Sequence, residues 1–164
     1  MPGKAGTGYI RRRCAAYMKN STPYLNFRTL RKSDSEGFLE YRLAIYNREV
    51  LTTLDFWGYD DEFKKFGKEL AEFPRTRDHS VKYELGELQP RGDIKWAYYL
   101  LLEASLDDSG KSAMRVKVDN FKMRPETVKT EFYLDLEPAS LNKLGNSLYN
   151  WDISKNNELN WSQE

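Results

Sequence analysis

The sequence has very few of the residues that build metal sites and disulfides. Its 164 residues include one cysteine, Cys14, and one histidine, His79. Because a structural zinc site takes four Cys or His ligands, the chain predicts no zinc site. A single cysteine also allows no internal disulfide, which is typical of a protein from a reducing compartment. We therefore expect neither a metal nor a cofactor.

Signatures of catalysis, export and membrane insertion are missing as well. His79 follows Arg77 and Asp78 in a charged segment, and no nucleophile-elbow pattern accompanies it. Gly110-Lys111-Ser112 resembles the end of a phosphate loop, but the position five before Gly110 is a serine. No apolar run approaches the roughly 18 residues of a membrane span, and no signal peptide is apparent. The sequence predicts a non-enzymatic, cytoplasmic protein with no membrane partner.

Positive charge is concentrated at the N-terminus. Residues 1–17 contain Lys4, Arg11, Arg12 and Arg13 and no acidic residue, and we predict a disordered extension there. Without these four, the rest of the chain has 22 basic and 25 acidic residues. A nucleic-acid-binding surface carries a marked positive excess, so nucleic acid is a disfavoured partner.

Aromatic residues, by contrast, are plentiful, and they fall in segments where apolar and polar residues alternate. They make up 14% of the chain. In residues 37–46, Leu39, Tyr41, Leu43 and Ile45 share one face, as in a half-buried strand. Similar segments occur at 24–30, 50–57, 81–85, 95–105, 113–120 and 128–136. Short connections rich in turn-forming residues join most of them, which predicts antiparallel meanders.

Two other segments have helical periodicity and match each other. The apolar stripe of Phe63, Phe66, Leu70 and Phe73 is spaced for one face of a helix. At a constant offset of 78 residues it aligns with Leu141, Leu144, Leu148 and Trp151, and Gly67 aligns with Gly145. Either an internal duplication or the chance similarity of two amphipathic helices accounts for the match. A glycine inside a helix is unfavourable, so we expect each helix to pack closely on a sheet there.

These patterns predict one α+β domain at residues 18–151. It consists of an antiparallel meander sheet with two amphipathic helices packed on one face, and it is divisible into two repeats of a β-meander followed by a helix. Residues 152–164 are polar, and we predict a C-terminal tail in which only Trp161 folds back onto the body.

The polar face of the predicted sheet is the candidate site. Charged residues, Glu131 among them, alternate there with tyrosines, a mixture that suits a solvated face and also a protein interface. No catalytic, cofactor-binding or metal-binding residue is predicted. The candidate interaction residues are Arg42, Tyr46, Tyr99, Glu103, Arg115, Lys117, Tyr133 and Asp135.

The order of the elements resembles a known family. The features that match are the run Leu54-Asp55-Phe56, the acidic pair at 60–61, the first helical stripe, the turn Asp107–Gly110 and the final strand and helix. Over residues 24–151, this order of features is similar to that of the WapI-type immunity proteins. The resemblance implies a cytoplasmic, non-enzymatic protein that neutralises a bacterial toxin domain by binding it. Two alternatives remain open. One is a nucleic-acid-binding protein that uses the basic N-terminal segment with the aromatic sheet, and the other is a small-ligand-binding domain.

Overall fold

The computed structural model describes residues 22–32, 37–88 and 97–163. These residues form an α+β fold, as the sequence predicts. The predicted extension at 1–17 and the start of the strand predicted at 95–105 lie outside the described residues. The elements in chain order are β1 Tyr24–Lys32, β2 Phe38–Tyr46, β3 Leu51–Tyr59, α1 Lys64–Ala71, β4 Val81–Leu85, β5 Tyr99–Leu106, β6 Ser112–Asp119, β7 Lys129–Asp135, α2 Pro138–Asn150 and β8 Glu158–Ser162.

The strands form two antiparallel sheets rather than one shared sheet. Sheet A has the order β3-β2-β1-β8, and sheet B has the order β4-β5-β6-β7. Each sheet contains a meander of three strands and one strand that follows a helix. β4 follows α1 and pairs with the second meander, whereas β8 follows α2 and pairs with the first. The two predicted units are therefore interlocked, because the strand after each helix joins the other unit's meander.

One hydrophobic core joins both sheets to both helices. Leu39, Tyr41, Leu43 and Ile45 are all buried, which confirms the face assigned to β2 from alternation. Both helical stripes are buried as well, and Trp151 of the second unit packs its ring against Phe27 and Phe63 of the first. The halves of the chain thus share their apolar surface instead of each enclosing its own.

The two helices cross at their matching glycines. A Cβ atom on Gly67 would lie 2.8 Å from the carbonyl oxygen of Gly145 and 2.6 Å from the backbone nitrogen of Tyr149. A Cβ atom on Gly145 would lie 2.7 Å from the carbonyl oxygen of Gly67. The sequence predicts a packing role for both glycines correctly but assigns the wrong partner, because each helix approaches the other helix this closely.

Contacts between the two units are reciprocal. Lys64 Nζ donates to the carbonyl oxygens of Tyr149 and Trp151 at the end of α2, at 2.6 and 3.0 Å. Asn142, which is 78 residues after Lys64, donates from Nδ2 to the carbonyl oxygens of Leu70 and Phe73 at the end of α1, at 3.0 and 2.6 Å. Each helix therefore caps the C-terminus of the other, as equivalent elements do across a twofold axis.

One local prediction is wrong. Residues 152–164 are not merely a polar tail, because 158–162 form β8 with Leu159 and Trp161 buried in the core. At the start of α1, the N-cap Phe63 makes no side-chain cap bond. A backbone bond from Lys64 N to the Asp61 carbonyl oxygen closes that turn instead. No helix in the described ranges combines the length and the apolar composition needed to cross a membrane.

Candidate functional site

The structure divides the candidate interaction residues between the two sheets. Arg42 and Tyr46 lie on β2 of sheet A. Because alternation fixes faces within a strand but says nothing about which strands share a sheet, the sequence wrongly grouped these two with the others. The remaining six, Tyr99, Glu103, Arg115, Lys117, Tyr133 and Asp135, lie on β5, β6 and β7 of sheet B.

Strand register brings the polar residues of sheet B together on the side away from the core. Arg115 lies between Glu103 on β5 and Tyr133 on β7, its Cα partners in the two adjoining ladders. Lys117 is opposite Glu131 one step further along the same face. We call this surface the Arg115 face and define it by Glu103, Arg115, Lys117, Glu131, Tyr133 and Asp135.

Ion pairs hold Arg115 in a fixed position. Its Nε and Nη2 atoms donate to Glu131 Oε1 at 2.8 and 2.7 Å, and its Nη1 atom lies 3.9 Å from Glu103 Oε2. Lys117 Nζ lies 3.4 Å from Glu131 Oε2. Hydrogen bonding to Glu131 raises the pKa of Arg115, and the same bond lowers the pKa of Glu131. Both shifts favour the charged forms of Arg115 and Glu131.

Such a cluster contributes little to folding stability. Exposed ion pairs are worth about 0–1 kcal/mol each, because water screens them and ordering the side chains costs entropy. Its physical effect is to orient Arg115 beside Tyr133, whose side chain is 58% exposed. A surface whose long side chains are already ordered loses less entropy when it binds a partner.

Two predicted site residues are less accessible than alternation implied. Tyr99 and Tyr46 are only 4% and 5% exposed. The Tyr99 hydroxyl donates to Glu84 Oε1 at 2.7 Å, and the Tyr46 hydroxyl donates to the Arg48 carbonyl oxygen at 2.8 Å. Burial is the main cause that raises the pKa of Tyr99, to about 12. We therefore leave both tyrosines out of the Arg115 face.

A cleft of about 720 Å³ lies elsewhere, lined by residues of β1 and by the turn after α2. Two of its charged groups, Lys64 and Asp152, are bonded within the protein. Lys64 donates to two carbonyl oxygens, and Asp152 accepts from the Ser154 hydroxyl at 2.5 Å and pairs with Lys155 at 2.9 Å. Hydrogen bonding to Ser154 and Lys155 lowers the pKa of Asp152 to about 2. These bonds leave Lys64 and Asp152 less available to a small ligand.

The described residues do not bring together the side chains of a metal site. No group of three His, Cys, Asp or Glu side chains is placed to hold a metal ion in those ranges. His79 lies in the loop after α1, where its Nδ1 atom accepts from the Arg75 backbone N–H at 3.0 Å and its ring lies beside Phe73. Its described contacts are those of a loop residue.

No protein-family model, curated protein or solved structure matches this chain. The chain is therefore described by its fold alone. It is an α+β protein of two interlocked meander-and-helix units, and sheet B carries the mixed-charge Arg115 face.

Proposed function

We propose that this chain is a non-catalytic protein-binding protein and that the Arg115 face is its binding surface. The observation that supports the proposal is the position of Arg115, held by Glu131 next to the exposed ring of Tyr133. Tyrosine and arginine are enriched among the few residues that supply most of the energy of protein interfaces. The flanking charges would form a polar rim around this pair.

The composition of the face favours protein over nucleic acid as the partner. Glu103, Glu131 and Asp135 place carboxylates among the cations, and one of them is bonded directly to Arg115. A surface that binds phosphates needs cations available to neutralise them, and nearby carboxylates oppose this. A protein surface with charges of both signs is the better complement.

A toxin domain is the partner to test first. This choice rests on the resemblance to the WapI-type immunity proteins, which implies binding and neutralisation of a toxin inside the cytoplasm. If the proposal is correct, co-expression of the chain restores growth to bacteria that produce a toxin domain encoded beside its gene, and the two proteins co-purify.

The structure offers a matched control for that experiment. Arg42 occupies the middle strand of the first meander on sheet A, as Arg115 does in the second, and it is paired with Asp55 at 2.7 and 2.8 Å. We expect Arg115→Glu and Tyr133→Asp to abolish protection and co-purification, while Arg42→Glu retains both. The proposed surface would be refuted if Arg42→Glu lost protection and co-purification while the other two variants kept both. Co-purification of nucleic acid without protein would refute it as well.

A further inference from the structure

The second hairpin connections of the two meanders differ in length. In the first, Asn47 N donates to the Val50 carbonyl oxygen and Val50 N donates to Asn47 Oδ1, at 3.2 and 2.8 Å. In the second, Asn120 and Val128 make the same two bonds at 3.0 and 2.9 Å. Two residues separate the first Asn–Val pair, whereas seven separate the second. The loop at 120–128, which we call the β6–β7 loop, is therefore an expanded version of the short turn.

Internal hydrogen bonds hold the β6–β7 loop in one conformation. Asn120 donates from Nδ2 to the Glu126 carbonyl oxygen at 2.8 Å and accepts at Oδ1 from Lys122 N at 3.2 Å. The Thr127 hydroxyl donates to the Lys122 carbonyl oxygen at 2.9 Å, and Glu126 N donates to that of Met123 at 3.0 Å. The loop is an ordered projection rather than a loose connection.

This ordered loop holds an apolar tip in water. Met123 is 85% exposed and Phe121 is 38% exposed. Ordering a loop costs conformational entropy, and an apolar side chain that stays in water contributes no hydrophobic free energy to offset that cost. Methionine adapts its shape to irregular apolar pockets, and exposed apolar groups on an ordered frame are typical of protein contact sites.

Charge distinguishes the two sides of the tip. Lys122 Nζ lies 3.8 Å from Glu126 Oε2, so its charge is partly balanced within the loop. The neighbouring Arg124 is exposed and makes no ion pair within the described residues. A complementary surface would therefore offer an apolar pocket for Met123 with a carboxylate beside it for Arg124.

We infer that the β6–β7 loop is an anchor that inserts Met123 into such a pocket on the protein bound by the Arg115 face. The loop joins β6 to β7, the strands that carry Arg115 and Tyr133, so one partner can contact both surfaces. This inference rests on the proposed function. It adds that an apolar pocket with a carboxylate beside it is the feature of the partner that determines specificity.

Photo-cross-linking in living cells tests the inference. A photoreactive amino acid replaces Met123 in one variant, Tyr133 in a second, and the exposed Lys68 of α1 as the control. We expect positions 123 and 133 to trap the same protein and position 68 to trap none. With that protein purified, Met123→Glu should weaken binding at least about tenfold, as loss of a hot-spot residue does, whereas Met123→Leu should change it less than about twofold.

The outcomes separate the inference from the proposed function. Cross-links from position 133 without the same protein at 123 overturn the inference alone, and absence of cross-links from both positions overturns both proposals. Cross-linking of position 123 only to a second copy of the chain, or to vesicles of anionic phospholipid, also overturns the inference. Circular dichroism of Met123→Glu establishes that weakened binding does not reflect unfolding.

Discussion

Gly67 and Gly145 set the distance between the two helices. Each lies where the other helix's backbone occupies the space of a side chain, so the contact is backbone against backbone. The sequence revealed that these positions are special, because a helical glycine costs about 1 kcal/mol relative to alanine. It did not reveal the partner, because periodicity describes one helix at a time.

Replacing Gly145 by alanine tests this contact. The added methyl group would overlap the carbonyl oxygen of Gly67, a rigid backbone atom, and we expect a loss of about 1–3 kcal/mol in the free energy of unfolding. The control is the exposed Ser147→Ala in the same helix, which should be nearly neutral. Urea denaturation measures both, and a Gly145→Ala chain as stable as wild type would contradict the close crossing.

Buried tyrosines make the free energy of unfolding depend on pH in the alkaline range. The pKa of Tyr99 is raised to about 12, first by burial and then by its bond to Glu84, and burial also raises the pKa of Tyr41 and Tyr83. A tyrosine in the unfolded chain has a pKa near about 10. Above the unfolded pKa, the unfolded chain releases protons that the folded chain retains. The stabilising contribution of these tyrosines is therefore complete below the unfolded pKa and is lost as pH rises toward the folded pKa.

We accordingly expect the free energy of unfolding to decrease as pH rises above about 10. Tyr99→Phe removes one of the responsible groups, so its decrease should be shallower than that of the wild type. Urea unfolding at a series of pH values gives both slopes. An identical slope for the variant would show that Tyr99 titrates alike in both states.

At the scale of elements, alternation located the strands well because each buries one face. In the alternating segment predicted at 113–120, Met114, Val116 and Val118 are buried, and in the segment at 128–136 Phe132, Leu134 and Leu136 are buried. β8 was missed although Leu159 and Trp161 alternate within it, because two apolar residues in a polar segment are a weak signal. Its partner β1 is also more than a hundred residues away in the chain.

The reciprocal helix caps give a prediction at this scale. Asn142→Ala removes two hydrogen bonds to carbonyl oxygens at the end of α1 and leaves those acceptors without this donor. We expect a loss of about 1–2 kcal/mol. Asn146→Ala is the matched control, because its Nδ2 atom bonds to a carbonyl oxygen of its own helix. Equal stability of the two variants would exclude a capping role for Asn142.

The candidate site was partly predictable for the same reason. Glu103, Arg115, Lys117, Tyr133 and Asp135 were placed correctly on an outward face, because period-two alternation fixes faces. Which strands share a sheet depends on pairing between distant segments, so the sequence could not exclude Arg42. The β6–β7 loop has no periodic pattern, and only comparison of the two folded hairpins makes it evident.

At the scale of the whole molecule, the interlocked strands predict a single cooperative unfolding transition. β8 completes the sheet of the first meander, β4 completes that of the second, and the core is continuous. Neither half can lose its structure without exposing apolar surface of the other. Native-state hydrogen exchange should give similar global free energies for β2 and β6, and a half that opens independently would contradict this.

The claim that this molecule binds a protein through sheet B depends most directly on one comparison of affinities. Calorimetric titration of the partner trapped through Tyr133 would be carried out with the wild-type chain, Arg115→Ala and Arg42→Ala. We expect Arg115→Ala to raise the dissociation constant by about tenfold or more, and Arg42→Ala to leave it within about twofold. If Arg42→Ala weakens binding and Arg115→Ala does not, the binding surface lies on the other sheet.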